Sequence, residues 1–146
     1  MTAIDSLFFR YARIALASLT GLTTVPVPTF AANSACHGVK VEITKAREEA
    51  YGPVIVAAME SKIKPAQVKF YSILESGIWS AAYISTPVTD DGVMFFQTVD
   101  GKKHFRDVWG GWADPSENSG LVAWAQKLGA PTDLAKCFAE TVTGNE

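Results

Sequence analysis

The sequence predicts an α+β domain made of an N-terminal helix, a four-stranded antiparallel meander and two short C-terminal helices. Three features carry that prediction. The apolar period changes from three-and-four to two at Gln67, then returns to helical spacing after Pro115. Turn residues recur at short intervals between the alternating runs, and Asp100-Gly101 is the sharpest of them. Finally, Asp114-Pro115-Ser116-Glu117 combines an N-cap residue, a proline at the first helical position and an acid three residues on.

Residues 42–62 read as helical because Ile43, Ala46, Ala50, Val54 and Ala57 recur at spacings of three and four. Gly52-Pro53 predicts a kink or two abutting helices, since proline lacks an amide donor and crowds the preceding turn. Pro65 should end the helical region. Val68, Phe70 and Leu74 then share one face of a first strand, which closes in the turn Glu75-Ser76-Gly77. A second strand runs from Ile78 to Thr86, and Pro87 stops it. Thr89-Asp90-Asp91-Gly92 makes the next reversal, leading into a third strand, Val93 to Val99, and a fourth, Lys102 to Trp109.

A two-residue type I′ turn at Asp100-Gly101 fixes the register of the last pair. Val99 should face Lys102, Phe96 should face Phe105, and Gln97 should face His104. Alternation then places Met94, Phe96 and Phe105 toward the core, with Phe95, Gln97, His104 and Arg106 on the other side. The same alternation carries Trp109 to the side of Phe105. In the last third, Leu121, Trp124, Ala125 and Leu128 make one helical stripe stopped by Gly129. Pro131-Thr132-Asp133 restarts the chain, and Leu134, Cys137 and Phe138 make a second stripe. Helices are expected to cover one face of a twisted sheet. This element order resembles cystatin-like and NTF2-like architectures.

The first 31 residues read as an export signal, leaving a single disulfide-closed α+β domain over 32–146. Arg10 and Arg13 supply the positive start, Ile14 to Leu22 the apolar run, and Pro26 and Pro28 the break. Thr29-Phe30-Ala31 offers small residues for cleavage before Ala32. The apolar run is too short to span a bilayer as a helix, and no second apolar stretch reaches membrane-spanning length. Cys36 and Cys137 both survive cleavage and are expected to pair in a periplasmic or secreted setting. The resulting loop of about 100 residues is worth roughly 4–5 kcal/mol in the chain-entropy account.

Removing the signal takes two of 13 basic residues and one of 15 acidic ones, leaving a formal charge of −3. The remaining cations are scattered, which argues against nucleic acid as a partner. His37 and His104 stand about 67 positions apart, and no HExxH, CxxC or spaced Cys/His set occurs, so no metal site or cofactor is expected. The chain contains no G-x-S-x-G elbow and no glycine-rich phosphate loop. An enzyme is therefore not the first expectation.

The unusual stretch is Asp107-Val108-Trp109-Gly110-Gly111-Trp112-Ala113-Asp114-Pro115. Two indoles bracket two glycines at a strand end, and acids bracket the indoles. Such a loop can present flat aromatic surface beside hydrogen-bond acceptors, which suits a protein or peptide partner. Trp109, Trp112, Asp107 and Asp114 are the candidate partner-binding residues, and Trp112 is the better candidate for an exposed anchor. The alternative is that both indoles pack in the core. From Gly77-Ile78-Trp79 through Trp109-Gly110-Gly111-Trp112-Ala113 to Ala135-Lys136-Cys137-Phe138, the chain resembles small exported bacterial proteins of unassigned function. The expectation is a non-enzymatic exported binding protein, of inhibitor or immunity type. Its rival is a small-ligand carrier or hydrolase with a pocket between sheet and helices.

Overall fold

The computed structural model describes residues 34–60 and 62–144. The export signal read over 1–31 lies outside the described residues. Residues Ala31–Glu146 form one compact unit. Its described residues are α+β, with five antiparallel strands and three α-helices: β1 (Lys40–Val41), α1 (Lys45–Ala58), β2 (Lys69–Ser76), β3 (Trp79–Thr86), β4 (Thr89–Val99), β5 (Lys102–Gly110), α2 (Asn118–Leu128) and α3 (Thr132–Thr143). The strands are neighbours in chain order. The meander thus has five strands rather than four. Strand β1 has only two residues, too few to show alternation, and it gains its place by pairing Lys40 with Glu75 and Val41 with Leu74.

The helices cover both faces of the sheet, not one. On one face Tyr51, Ile55, Ile73, Ala82, Ile84, Met94 and Phe96 form a core beneath α1. On the other, Leu74, Ala81, Val93 and Phe95 pack against Leu121, Leu134, Phe138 and Val142 of α2 and α3. Phe95 and Phe96 are adjacent, point to opposite faces and are both fully buried. The hairpin pairs Val99 with Lys102, Gln97 with His104 and Phe96 with Phe105, as the turn requires. Asp100 and Gly101 both have positive φ, at 49° and 74°. Phe95 does lie on the face opposite Phe96, but that face is a second core rather than a bare one, because α2 and α3 close it.

Two bulges explain the other displaced residues. Phe70 pairs with Ile84 but Ser72 pairs with Tyr83, so Tyr71 is an extra residue in β2. The extra residue switches parity, and Phe70 and Leu74 fall on opposite faces. In β5, Phe105 pairs with Phe96 but Asp107 pairs with Phe95, which makes Arg106 the extra residue. Trp109 therefore lies opposite Val93, on the α2/α3 face rather than with Phe105. The turn before β4 is also shorter than expected: Thr86 pairs with Thr89, so Thr89-Asp90-Asp91-Gly92 is strand and Pro87-Val88 makes the reversal.

Helix α1 runs through Pro53 as one helix. The residue before proline is usually driven from helical geometry by a clash involving its Cβ, and Gly52 has none. Gly52 is also where Pro65 approaches: an added Cβ would lie 3.0 Å from the Pro65 Cβ. The helix ends at Ala58, before a left-handed Glu60, well short of Pro65. Its buried seam is Tyr51 and Ile55, while Ala46, Ala50 and Ala57 face solvent. Alanine is a good helix former on any face and so misplaces the stripe. Helix α2 follows a 3-10 turn, Pro115–Glu117, and stops at Gly129 as expected. Cys36 is bonded to Cys137 of α3, closing a sequence separation of 101.

Candidate interaction surface

The tryptophan loop leaves β5 where Gly92 pairs with Gly110. Gly111 takes φ of 112°, a conformation side chains resist, and its amide donates to the Asp91 carbonyl at 3.4 Å. On one side of this link Trp109 is half-buried, its ring 5.8 Å from Phe138. On the other, Ala113 returns to the core at 1% exposure. Between these anchors Trp112 is held out at 70% exposure.

The candidate residues separate into distinct roles. Trp109 is core-facing and Trp112 is exposed. The Asp114 side chain accepts the Ser116 amide at 2.9 Å, while Glu117 Oε2 accepts the Asp114 amide at 2.8 Å, forming a reciprocal cap on the turn. The bond from Ser116 holds the Asp114 carboxyl below its ordinary range. Asp114 is thus ionised and exposed, but its oxygens already serve the turn. Asp107 lies further up β5, where its Oδ1 accepts the Val108 amide at 2.8 Å. Asp107 is not gathered with Trp112 around one cavity.

What does gather around Trp112 is a shallow open cavity of about 660 Å³ lined by Tyr83, Ser85, Asp90, Asp91, Gly111 and Val142, among others. Burial, then the Asp91 charge and Tyr71, raise the Tyr83 hydroxyl pKa, so Tyr83 presents a neutral phenol. Tyr71 stacks at a tilt on Tyr83, with centroids 5.0 Å apart, and carries the Lys69 ammonium 4.9 Å over its ring. Tyr83, Asp90 and Asp91 were not among the sequence candidates. The signal was present, because the Asp100-Gly101 hairpin brings residues near 91 beside residues near 110 whatever the bulge does.

His37 and His104 are both exposed. Among the described residues, no three His, Cys, Asp or Glu side chains gather where they could hold a metal ion. A second polar cluster ties α1 to the sheet: Arg47 Nη2 meets Glu75 Oε2 at 2.8 Å, the Tyr51 hydroxyl donates to Glu75 Oε1 at 2.8 Å, and Lys103 Nζ lies 3.7 Å from the same oxygen. Tyr51 is fully buried and each charged group is satisfied, which is the arrangement of a structural tie. No protein family, curated protein or solved structure matches this chain.

Proposed function

We propose that the protein is an exported, non-enzymatic binding protein that docks a protein or peptide partner on Trp112. The observation that carries this reading is the exposed indole fixed between the half-buried Trp109 and the buried Ala113. A large apolar side chain kept out of either core suits an interface anchor, since Trp is enriched among residues that dominate binding energy. Asp90 and Asp91 line the same cavity, which favours a partner with basic side chains. The Cys36–Cys137 disulfide supports an oxidising address, periplasmic or secreted. No helix among the described residues is long and apolar enough to cross a membrane. Processing before Ala32 belongs to the same reading, and mass spectrometry of exported material should find that N-terminus.

The test is a titration at low salt with a lysine- and arginine-rich peptide and with a glutamate-rich one. The basic peptide should bind and quench tryptophan emission, and Trp112→Ala should weaken it by about 30-fold, the size of a hot-spot contact. Equal affinity for both peptides, or binding indifferent to Trp112→Ala, would overturn the reading. The rival small-ligand reading draws on a groove of about 450 Å³ between the end of α1 and β5. Apart from Thr89, Asp90 and Asp91 its lining side chains are apolar, and it runs beside the partly exposed Phe105 and Val108 of the edge strand. That arrangement is closer to a docking groove than to an enclosed reaction chamber.

A further inference from the structure

Strand β5 is the last in the sheet, so only one side of its backbone pairs with β4. The Thr98 amide bonds to Ile78 in the β3 direction, and the hairpin closes on Val99 and Lys102. Alternation from that closing pair turns the backbone groups of Lys103 and Phe105 away from β4. The bulge at Arg106 shifts the alternation by one residue. The next outward residues are therefore Val108 and Gly110, which agrees with the Gly111 amide pointing inward to Asp91. As an outward amide, Val108 N–H is taken up by its own neighbour, Asp107.

The outward residues 103, 105, 108 and 110 read the same in both directions. A regular extended peptide offers pairing groups at every second residue and falls out of phase across the bulge. An antiparallel strand with the same bulge stays in phase throughout, and the strand that has it is a second β5. We infer that two copies of this chain pair antiparallel through β5, with Phe105 opposite Val108 of the partner subunit and Arg106 opposite Asp107 of the partner subunit.

The side chains fit this register. Phe105 and Val108 sit on the α1 face, opposite Phe96 and Met94 of β4, and remain 38% and 48% exposed beside the apolar groove. The dyad lays these pairs over one another. Arg106 and Asp107 lie on the other face, where the Arg106 guanidinium is 6.0 Å from the Trp79 ring and Asp107 pairs with Phe95. Lys102, Lys103 and His104 all fall in the first half of β5, so antiparallel pairing sets them against the glycines and Trp109 of the second half. Parallel pairing would oppose like charges. In the single copy the Asp107 carboxylate guards the Val108 amide, as charged residues on sheet edges commonly do. Pairing exchanges that contact for an inter-copy backbone bond and an ion pair, and by mass action the dimer fraction rises with concentration.

Sedimentation equilibrium of the oxidised protein, from micromolar to millimolar, should show a monomer–dimer equilibrium. Arg106→Asp should weaken it by about tenfold or more, and the double exchange Arg106→Asp with Asp107→Arg should restore it to within about threefold. Val108→Lys should abolish it. Hydrogen exchange on the unaltered protein supplies a readout independent of any variant's folding: the Phe105 and Val108 amides should slow as concentration rises. A single-chain mass at every concentration, a dimer indifferent to Arg106→Asp, or exchange at these amides independent of concentration would each overturn the proposal.

Discussion

The two faces of the sheet solve the same covering problem with different means. The α2/α3 face is closed by two helices and an aromatic cluster in which Phe95, Trp109 and Trp124 all meet the Phe138 ring at centroid distances of 5.0–5.9 Å. The Cys36–Cys137 bond ties the chain before β1 to the same helix. The opposite face has one helix of 14 residues, anchored by the Arg47–Glu75–Tyr51–Lys103 cluster together with the apolar contacts of Tyr51 and Ile55. One helix cannot span five strands, so Phe105 and Val108 stay partly exposed at the β5 edge. The comparison teaches that apolar burial concentrates on the closed face, while exposed apolar side chains remain on the open face and at the loop end.

The sharpest test of that division is Phe138→Ala, which should cost about 4 kcal/mol, because it removes the ring shared by three aromatic partners and leaves a cavity. Urea midpoints would measure it; a loss no greater than for an exposed residue would break the comparison. Removing the disulfide, by reduction or by Cys36→Ser with Cys137→Ser, should cost about 2–5 kcal/mol, the upper end being the full chain-entropy value. Coincident denaturation midpoints for oxidised and reduced protein would show the bond to be irrelevant.

On the α1 face, Glu75→Ala should cost about 2 kcal/mol, by leaving Arg47, Lys103 and the Tyr51 hydroxyl without their shared acceptor. Glu75→Gln, which keeps an acceptor, should lose less. The same cluster predicts a pH dependence. Burial, with the hydrogen bond to Glu75, raises the Tyr51 pKa above the ordinary tyrosine value of 10.0. The unfolded chain then ionises first, so this stability is full below that pH and declines as pH rises past it. Melting temperatures across that range should fall less steeply for Tyr51→Phe. The smallest effect belongs to the loop: Trp112→Ala should change stability by no more than about 0.5 kcal/mol, whereas the half-buried Trp109→Ala should cost about 2. Equal losses would make the loop a packing feature.

Local chemistry was legible in the sequence wherever a few neighbouring residues decide the outcome. Asp100-Gly101 set a hairpin register that holds for Phe96 with Phe105 and Gln97 with His104, because a type I′ turn leaves no freedom in the closing pair. The cap at Asp114 and the stop at Gly129 formed as read, since both depend on backbone groups within one turn. Among the site candidates, Trp112 was legible as the exposed indole because two glycines release it from strand alternation.

The tertiary structure decided what no local window contains. The bulges at Tyr71 and Arg106 carry no residue signature, yet each reversed the face of every residue beyond it, moving Leu74 and Trp109 to the α2/α3 side. Whether Phe95 faced water or a second core depended on α2 and α3 returning over the sheet, a choice made by contacts more than 25 residues away. Strand β1 exists only because β2 offers an edge for two residues to join. The buried seam of α1 went to Tyr51 and Ile55 rather than to its alanines because Glu75 waits on β2 for Arg47 and Tyr51. Periodicity reports how apolar side chains repeat along the chain, whereas burial is set by which second surface meets each repeat, and that surface is assembled only in the folded molecule.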